Sequence, residues 1–501
     1  MPPKKRTLLG MNRNFTLMGF TFPYWMLCTI EMFERLAYFA LRSVVAIYIM
    51  QADEPGGLHL TAAHKGSIYA WWFVFQSVLP MFTGGIADRY GYKKVLFGSV
   101  TMNIAGYALM AYFTSYWGFF FAVMLLATGT AFFKPALQGS LAQSVDEKNS
   151  SMGWGIFYWV VNVGAVIGPF VAAPVRGYSW QYLFLMSAGI TSLNYLVLLT
   201  FKDVPSGASK TESAWEVLSK TLRNILEPRL VVWLLIMSCF WLMMYQLWDL
   251  HPNFITDWID SSGLTATLPF APAGWLEEGP SGPQLKQEIL LAENAALIVL
   301  LMIPISWLVR RLRTLTAMTI GMVMAVGGVL VAGMTGNGWI FLAGVAFFSL
   351  GEMLTGPKKQ EYLGLIAPPG KKGLYLGYVN IPVGIGGFAG SKLAGYLYGH
   401  FGDKSVLAQK YLLQHTALGE GKTWNGDPDA LVALLGVERT DAMTRLQETV
   451  GLDAAGATQL LWETYDPQWW VWIPIAAIGA FAAVALLVYG QMAKRWSDMN
   501  A

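Results

Sequence analysis

The chain has 501 residues, of which 55% are hydrophobic, 14% aromatic and only 13% charged. About one quarter of the residues of a soluble protein are charged, so this composition excludes a soluble multidomain enzyme and a disordered scaffold. The same composition excludes a nucleic-acid-binding protein, whereas the formal net charge of +3 by itself says nothing about binding to polyanions. The composition predicts a polytopic membrane protein.

Along the chain there are twelve apolar runs of about 20 residues, the length that a helix needs to cross the hydrocarbon core. They lie at 22–50, 64–87, 94–113, 117–144, 150–175, 180–201, 229–250, 287–309, 314–335, 338–366, 373–400 and 469–493. No alternating pattern indicates a β-barrel. We therefore expect an all-α membrane protein with 12 transmembrane helices in two six-helix bundles, residues 1–201 and 229–501, joined by a cytoplasmic linker at 202–228.

Basic residues predict the orientation of these spans. They are concentrated before the first span and in the alternate loops that follow, for example at Lys93, Lys94, Arg310 and Arg311. Because basic loops stay in the cytoplasm, both termini are expected there, in a multi-pass protein of the cell (inner) membrane. The basic N-terminus lacks a small-residue cleavage site and is not expected to be a removable signal peptide.

Two loops on the opposite side are long. The 251–286 loop is rich in Pro and Gly, and the 401–468 loop contains helix-start signals at Asp427, Thr440 and Asp453. We expect the second loop to form a small helical cap over the outer mouth. Cys28 and Cys239 both fall inside apolar spans, so no disulfide framework, metal site or cofactor is predicted.

The first span carries a stripe of charged residues. At 100° per residue, positions 31, 35, 38 and 42 fall within about 60° of one another on a helix, and Glu34 is adjacent to them. A charge in the membrane costs roughly 2.5–3.5 kcal/mol, so Glu31, Arg35 and Arg42 are expected to face a wet cavity. A carboxylate beside Arg is ionised and holds it, and a proton that neutralises the acid frees the Arg for another anion. The stripe therefore predicts a proton-operated switch, with a self-cancelling ion pair that joins helices as the alternative.

The loop after the second span has the sequence Gly-Gly-Ile-Ala-Asp88-Arg89-Tyr-Gly-Tyr-Lys-Lys. It resembles the short loop signature of the major facilitator superfamily. Asp88 and Arg89 are expected to gate the inward face. Parallel repeats of this kind place the substrate site at the midplane between the two halves.

Several segments resemble the proton-coupled oligopeptide transporter family. Glu31-x-x-Glu34-Arg35-Leu-Ala-Tyr38-Phe39 resembles its motif E-x-x-E-R-F-x-Y-Y. The segments 129–135, 157–164, 240–246 and 351–357 are similar to the family's G-x-G-x-F-K-P, F-Y-x-x-I-N-x-G, F-W-x-x-x-E-Q and G-E-x…S-P, in the same spans.

The resemblance implies import of di- and tripeptides, driven by the proton gradient, through alternating access. Partners would be a small peptide, protons and the lipid bilayer, and one chain would suffice. The residues implied to bind the substrate are Arg35, Tyr38, Arg42 and Lys134 for the carboxylate, Asn294 and Glu352 for the ammonium, and Asn162 and Tyr158. Glu31, Glu34 and Asp249 would couple protons.

The sequence also departs from the family pattern. Tyr245 stands where the family has Glu, and Asp249, one turn on, either takes over the proton role or only lies at the outer mouth. Lys358 and Lys359 are unusual in the tenth span and favour a more anionic solute if they line the cavity. Lys65 and Lys392 are expected near a membrane surface, where long side chains reach water.

Three functions therefore remain open. The first is proton-coupled peptide symport, and the second keeps the fold but carries an organic anion, an amino-acid derivative or a drug. The third is a membrane receptor or assembly factor that acts through the 401–468 loop. An enzyme is not predicted, because His64, His251, His400 and His415 are scattered and no phosphate-binding loop occurs.

Overall fold

The computed structural model describes residues 16–146, 149–203, 227–268, 270–367, 375 and 377–493. Each of the twelve predicted spans contains a helix. Most of the predicted linker 202–228 lies outside the described residues, as do the basic residues at the N-terminus.

In the described residues of the N-terminal half, a short hairpin of β1 and β2 is followed by eight helices. Their bounds are β1 Thr16–Leu17, β2 Phe20–Thr21, α1 Phe22–Arg42, α2 Val45–Met50, α3 Ala62–Val78, α4 Pro80–Tyr90, α5 Tyr92–Met110, α6 Tyr116–Ala142, α7 Ser150–Arg176 and α8 Trp180–Thr200. The second span is divided into α3 and α4 at Leu79 because Pro80, which has no N–H to donate, begins a new helix.

The C-terminal half holds the other six spans and two elaborated loops. Its spanning helices are α9 Pro228–Met244 with α10 Gln246–Asp249, α13 Gln287–Val309, α14 Thr314–Gly333, α15 Gly338–Ile366, α16 Asn380–Phe401 and α21 Pro467–Ala493. The 251–286 loop contains α11 His251–Trp258, α12 Ser262–Thr267 and the hairpin of β3 Leu276–Gly279 with β4 Gly282–Leu285. The 401–468 loop contains α17 Lys404–His415, α18 Ala430–Leu435, α19 Ala442–Val450 and α20 Ala454–Tyr465.

Eight of the described helices are long and apolar enough to cross a membrane. The two elaborated loops lie at one end of the bundle, and we call this end the cap side and the opposite end the linker side. The chain enters α1 on the linker side and leaves it on the cap side. The twelve spans are arranged in two six-helix bundles.

The apolar core shows where the two bundles meet. One cluster is continuous across both halves and includes Val44, Trp72, Phe240 and Leu250, which lie towards the cap side. A second cluster, which includes Phe133, contains residues of the N-terminal half alone. The core therefore joins the halves on the cap side, and on the linker side the N-terminal half packs on itself.

Small residues allow close contact between the halves. A Cβ added to Gly66 of α3 would lie 3.1 Å from the Cα of Gly395 in α16, and a Cβ on Gly395 would lie 2.7 Å from the carbonyl oxygen of Ala62. Only glycine fits at this approach, because any side chain would push the two backbones apart.

Candidate functional site

The charged stripe of α1 is buried inside the protein. Glu31, Glu34 and Arg35 are each 6% exposed or less. The Arg35 Nε donates to a Glu34 oxygen at 2.5 Å and lies 3.3 Å from a Glu31 oxygen. The guanidinium also lies 4.9 Å from the ring centre of Tyr38. One cation is therefore shared by two carboxylates, so a proton that neutralises either carboxylate leaves Arg35 still paired with the other.

Two glycines of α7 hold α1 at short range. A Cβ on Gly164 would lie 2.8 Å from the Arg35 Cβ, and one on Gly168 would lie 2.7 Å from the Ala40 nitrogen. The helices pack backbone to backbone here, as the glycine spacing predicts. The same helix carries Tyr158 and Asn162, whose side-chain amide donates to the Tyr158 carbonyl at 2.8 Å.

Lys134 lies at a proline-altered turn of α6. Pro135 has no N–H, so the carbonyl of Ala131, four residues earlier, loses its usual helical donor. The Thr83 hydroxyl of α4 donates to this carbonyl at 2.7 Å and replaces the missing bond. Lys134 is half-buried and forms no ion pair with a described residue, so its ammonium is available for an anion.

In the C-terminal half, α13 and α15 supply an acidic group. The Asn294 amide donates to the Glu352 carboxylate at 3.0 Å and to the Ser349 hydroxyl at 3.0 Å. Glu352 is half-buried and has no ion pair with a described residue. Tyr158 lies on α7 of the other half, and α7 packs against α13. The helix of Tyr158 and the helix of Asn294 are therefore in contact across the boundary between the halves.

Tyr245 makes an apolar contact where the resembled motif has an acid. Its ring centre lies 4.5 Å from that of Phe73 in the N-terminal half and 5.3 Å from that of Trp241. This position therefore packs the halves together by aromatic contact.

Asp249 lies at the cap-side end of the same span and bonds to both halves. Arg42 donates to its carboxylate and also to the Trp248 carbonyl at 2.9 Å. The Ser391 hydroxyl donates to the second carboxylate oxygen at 2.6 Å. Because Arg42 is engaged in this pair, it is not free to bind a substrate carboxylate in this conformation, and its predicted role as a ligand stays a prediction.

The expectation that Lys65 reaches a membrane surface is wrong. Lys65 is 1% exposed, and its ammonium donates to the Asp249 carbonyl and to the Asn253 side chain, both at 2.7 Å. It lies between the halves beside the Arg42 pair. Lys392, by contrast, is exposed, and its ammonium donates to the Ser67 hydroxyl at 2.7 Å.

A second cap-side cluster centres on Arg176, at the end of α7. Its guanidinium donates to Glu288 and Glu277 of the C-terminal half, both at 2.7 Å, and to Glu54 of the N-terminal half at 3.1 Å. Burial raises the pKa of Glu54 and Glu277, and Arg176 opposes that rise. Three carboxylates around one cation tie the halves together.

The 401–468 segment adds a third link. Arg439 donates to the carbonyl oxygens of Met50, His59 and Leu60 in the N-terminal half, at 3.0–3.2 Å, and to the Asp403 carboxylate at 2.5 Å. This role of Arg439 was not predicted from the sequence. The one feature that could have indicated it is a single basic residue between two short helices.

Asp257 of α11 lies beside this link. Its carboxylate accepts hydrogen bonds from the Gln51 amide at 2.7 Å and the Tyr398 hydroxyl at 2.5 Å. Burial raises the pKa of Asp257 to about 6. A buried acid thus joins the first loop of the N-terminal half to α11 and α16.

The loop with Asp88 and Arg89 lies on the linker side. The Tyr92 hydroxyl donates to Asp88 at 2.7 Å, and the backbone N–H of Lys93 donates to Asp203 at 3.1 Å. Gly91 has φ +98°, which a side chain would strain. Tyr92 and Lys93 belong to the N-terminal half, and Asp203 lies at the start of the linker. Between described residues, the hydrogen bonds that join the halves lie on the cap side, so the conformation is closed there.

A family model described as Major Facilitator Superfamily matches residues 27–390 of this sequence. The chain belongs to the major facilitator superfamily. The fold is the major facilitator fold, and the chain is an integral, multi-pass membrane protein and a secondary transporter. The part of the chain that the structure describes holds no group of three or more His, Cys, Asp or Glu residues suited to a metal ion.

Curated relatives of this superfamily protein have different names. This chain is 25% identical to a Na(+), Li(+), K(+)/H(+) antiporter of Planococcus maritimus over 380 residues. The alignment covers 71% of this chain and 85% of the antiporter. This chain is 22% identical over 324 residues to the multidrug resistance protein MdtH of Photorhabdus laumondii subsp. laumondii, which covers 64% of this chain and 75% of MdtH. The two relatives are therefore named for different activities.

Solved structures of transporters have the same fold. The peptide transporter POT in complex with sulfate aligns with a TM-score of 0.66 at 16% identity, over 96% of each chain. The nucleoside transporter NupG aligns with a TM-score of 0.65 at 11% identity, over 94% of this chain and 100% of that one. At these identities the likeness extends to the fold alone.

Proposed function

We propose that this major facilitator protein is a proton-coupled symporter of di- and tripeptides that works by alternating access. The observation that carries the proposal is that one half has cationic side chains beside its charged stripe, and the other half has a carboxylate that forms no ion pair with a described residue. Arg35, with Lys134 on the neighbouring α6, offers cations in one half, and Glu352 offers an anion in the other. A zwitterion that bridges them favours the conformation in which the halves are close, and this coupling is what alternating access needs.

In this proposal each charged residue has one task. Arg35 and Lys134, with Tyr38, bind the peptide carboxylate, while Glu352 and Asn294 bind its ammonium. Tyr158 and Asn162 contact the peptide itself, and Arg42 joins the carboxylate ligands when it is released from Asp249. The proton carriers are Glu31, Glu34 and Asp249, and the loop with Asp88 and Arg89 gates the linker side.

Proton coupling follows from the position of Arg35 between two acids. While both acids are ionised, they hold the guanidinium and compete with the peptide carboxylate. Protonation of Glu31 removes one competitor, so the peptide carboxylate then competes for Arg35 with Glu34 alone. Arg suits this exchange because its planar fork matches a carboxylate and it keeps its charge.

The remaining parts of the proposal concern topology. We infer that residues 1–201 and 229–501 are the two functional halves, with 202–228 as a linker and 401–468 as a cap over the outer mouth. Both termini are placed in the cytoplasm, the membrane is the cell (inner) membrane, and a single chain without a cofactor is the working unit. The relevant support is the basic residues in the loops on one side.

The test is uptake of labelled dialanine by the purified chain in liposomes with an imposed proton gradient. Uptake should rise as the external pH falls to about 5.5 and should vanish with a protonophore. Glu31→Gln should abolish accumulation against a gradient but retain exchange of labelled for unlabelled peptide. Glu448→Gln, an exposed pair partner of Arg445 in α19, is the matched control and should behave as wild type. Uptake that ignores the protonophore would contradict the proposal.

A second candidate keeps the fold and changes the solute to an organic anion, an amino-acid derivative or a drug. It is favoured by Tyr245, which stands in place of the resembled family's acid, and by relatives named as a cation antiporter and a multidrug resistance protein. A thermal-shift panel that sets dipeptides against organic anions and drugs separates the two candidates. Stabilisation by a drug and not by dipeptides would favour the second.

A further inference from the structure

The face of α15 that carries Glu352 also carries Lys359. Seven residues separate them, which is two helical turns, so both side chains project from the same face about 10.5 Å apart along the axis. Gly356 lies between them on this face, one turn from each. A Cβ added to Gly356 would meet no heavy atom within 4 Å, so the space between the two charged residues is open.

Open space between two charged side chains in a spanning helix belongs to a water-accessible cavity, because lipid does not accept such charges. Lys359 and Glu352 are both half-buried. The two residues therefore mark the ends of a short open strip in the C-terminal half.

Lys359 differs from its neighbour Lys358. The Lys358 ammonium is paired with Glu361 at 2.8 Å. The Lys359 ammonium lies 3.9 Å from the ring centre of Trp241, and it forms no ion pair with any carboxylate in the described part of the chain. The face of Trp241 orients a cation but does not neutralise it. Lys359 thus presents an oriented positive charge at one end of the strip.

This charge has no task when a neutral peptide is bound. In the proposed function, on which this inference rests, the carboxylate of the peptide goes to Arg35 and Lys134, and its ammonium goes to Glu352. Both ends of a dipeptide with neutral side chains are then satisfied, and Lys359 still lacks an anion. We propose that Lys359, Trp241 and the open strip at Gly356 form a subsite for a negatively charged side chain, so that the favoured substrates are short peptides with one acidic residue.

The alternative is that Lys359 only balances the charge of Glu352 at long range. The two explanations predict different substitution effects. A subsite affects acidic peptides selectively, whereas a balancing charge affects every peptide, because all of them place the ammonium at Glu352.

The test compares Ala-Glu, Ala-Gln and Ala-Lys as substrates of the full chain in liposomes. Ala-Glu and Ala-Gln have nearly the same shape and differ by one charge. A charge-assisted hydrogen bond to that charge corresponds to roughly a tenfold difference in KM between the two peptides. Wild type should therefore prefer Ala-Glu over Ala-Gln and should take Ala-Lys least well. Lys359→Gln should raise the KM for Ala-Glu about tenfold and leave that for Ala-Gln unchanged. Lys359→Arg should retain the preference.

Lys358→Gln is the matched control, since its ammonium is already paired, and it should keep the wild-type ratio of the two KM values. The wild-type ranking of the three peptides tests the subsite even if Lys359→Gln does not fold. Two results would overturn the subsite alone. One is uptake of all three peptides without a preference for Ala-Glu, and the other is an equal rise in KM for Ala-Glu and Ala-Gln in Lys359→Gln. No uptake of any of the three would overturn the proposed function and the subsite with it.

Discussion

Arg42 of α1 donates to the carboxylate of Asp249 at the end of α10, and this buried ion pair crosses the boundary between the two halves. The partners are 207 residues apart in sequence. Both are almost fully buried, so neither charge is solvated by bulk water. The pair can hold the cap side shut only while both partners are charged.

Breaking the pair from one side should be costly. Asp249→Asn leaves Arg42 buried without a counter-charge, and removal of one partner of a buried pair typically costs about 3–5 kcal/mol. We expect a large fall in the midpoint of thermal unfolding in detergent and loss of proton-driven uptake. The double variant Arg42→Gln/Asp249→Asn should recover part of the thermal stability, because the unpaired guanidinium is gone and only the Lys65 ammonium, which is hydrogen-bonded to Asn253, remains charged there. Additive effects of the two substitutions would rule out the pair.

The Arg439 link predicts that the 401–468 segment holds the cap side closed. Arg439→Gln removes charge-assisted bonds to three carbonyls and to Asp403, with an expected cost of about 2 kcal/mol. Hydrogen–deuterium exchange of the backbone at 50–61 should become faster. Arg445→Gln in α19, whose side chain is 48% exposed, is the control and should leave this exchange unchanged. Equal exchange in the two variants would contradict the link.

Asp257 predicts a pH dependence of stability. Its pKa is raised to about 6 in the folded chain, so the folded state binds the proton more tightly than the unfolded chain, where the carboxyl titrates near 4. Its contribution to stability is therefore full below about pH 4 and is lost as the pH rises through about 6. Gln51, Tyr398 and Lys404 are hydrogen-bonded to it, and the charges of Asp403 and Asp53 also act on it.

The measurement is the midpoint of thermal unfolding of wild type and Asp257→Asn between pH 4 and pH 8. The wild-type midpoint should fall relative to that of the variant from about pH 4 to about pH 6 and then stay level. Asp441→Asn, an exposed position just before α19, serves as the control. A difference between wild type and Asp257→Asn that does not change with pH would refute the assignment.

Thr83 predicts how the position of Lys134 is maintained. Thr83→Val removes the hydroxyl that donates to the Ala131 carbonyl. Because Pro135 has no N–H, this carbonyl would then have no hydrogen-bond donor, and a buried unsatisfied group costs about 1–3 kcal/mol. We expect lower thermal stability and weaker peptide binding. Thr128→Val on the same helix loses a hydroxyl that donates to the Met124 carbonyl, which keeps its helical donor, so its effect should be smaller. Equal effects of the two would contradict this role of Thr83.

The sequence by itself determined the parts of this protein that depend on local pattern. Apolar runs of about 20 residues are sufficient to locate the twelve spans. The periodicity of one helix is sufficient to show that Glu31, Glu34 and Arg35 share a face. Because a charged side chain is costly in lipid, that face is predicted to point into the protein.

Only the tertiary structure decided which charges meet. Nothing local in the sequence distinguishes Lys65, which lies buried against Asp249 at a separation of 184 residues, from Lys392, which lies exposed. The reach of Arg439 to the His59 carbonyl spans 380 residues. Such pairings depend on how the two bundles pack against each other. A contact between residues that are distant in sequence produces no periodic pattern near either residue, so the sequence does not reveal it.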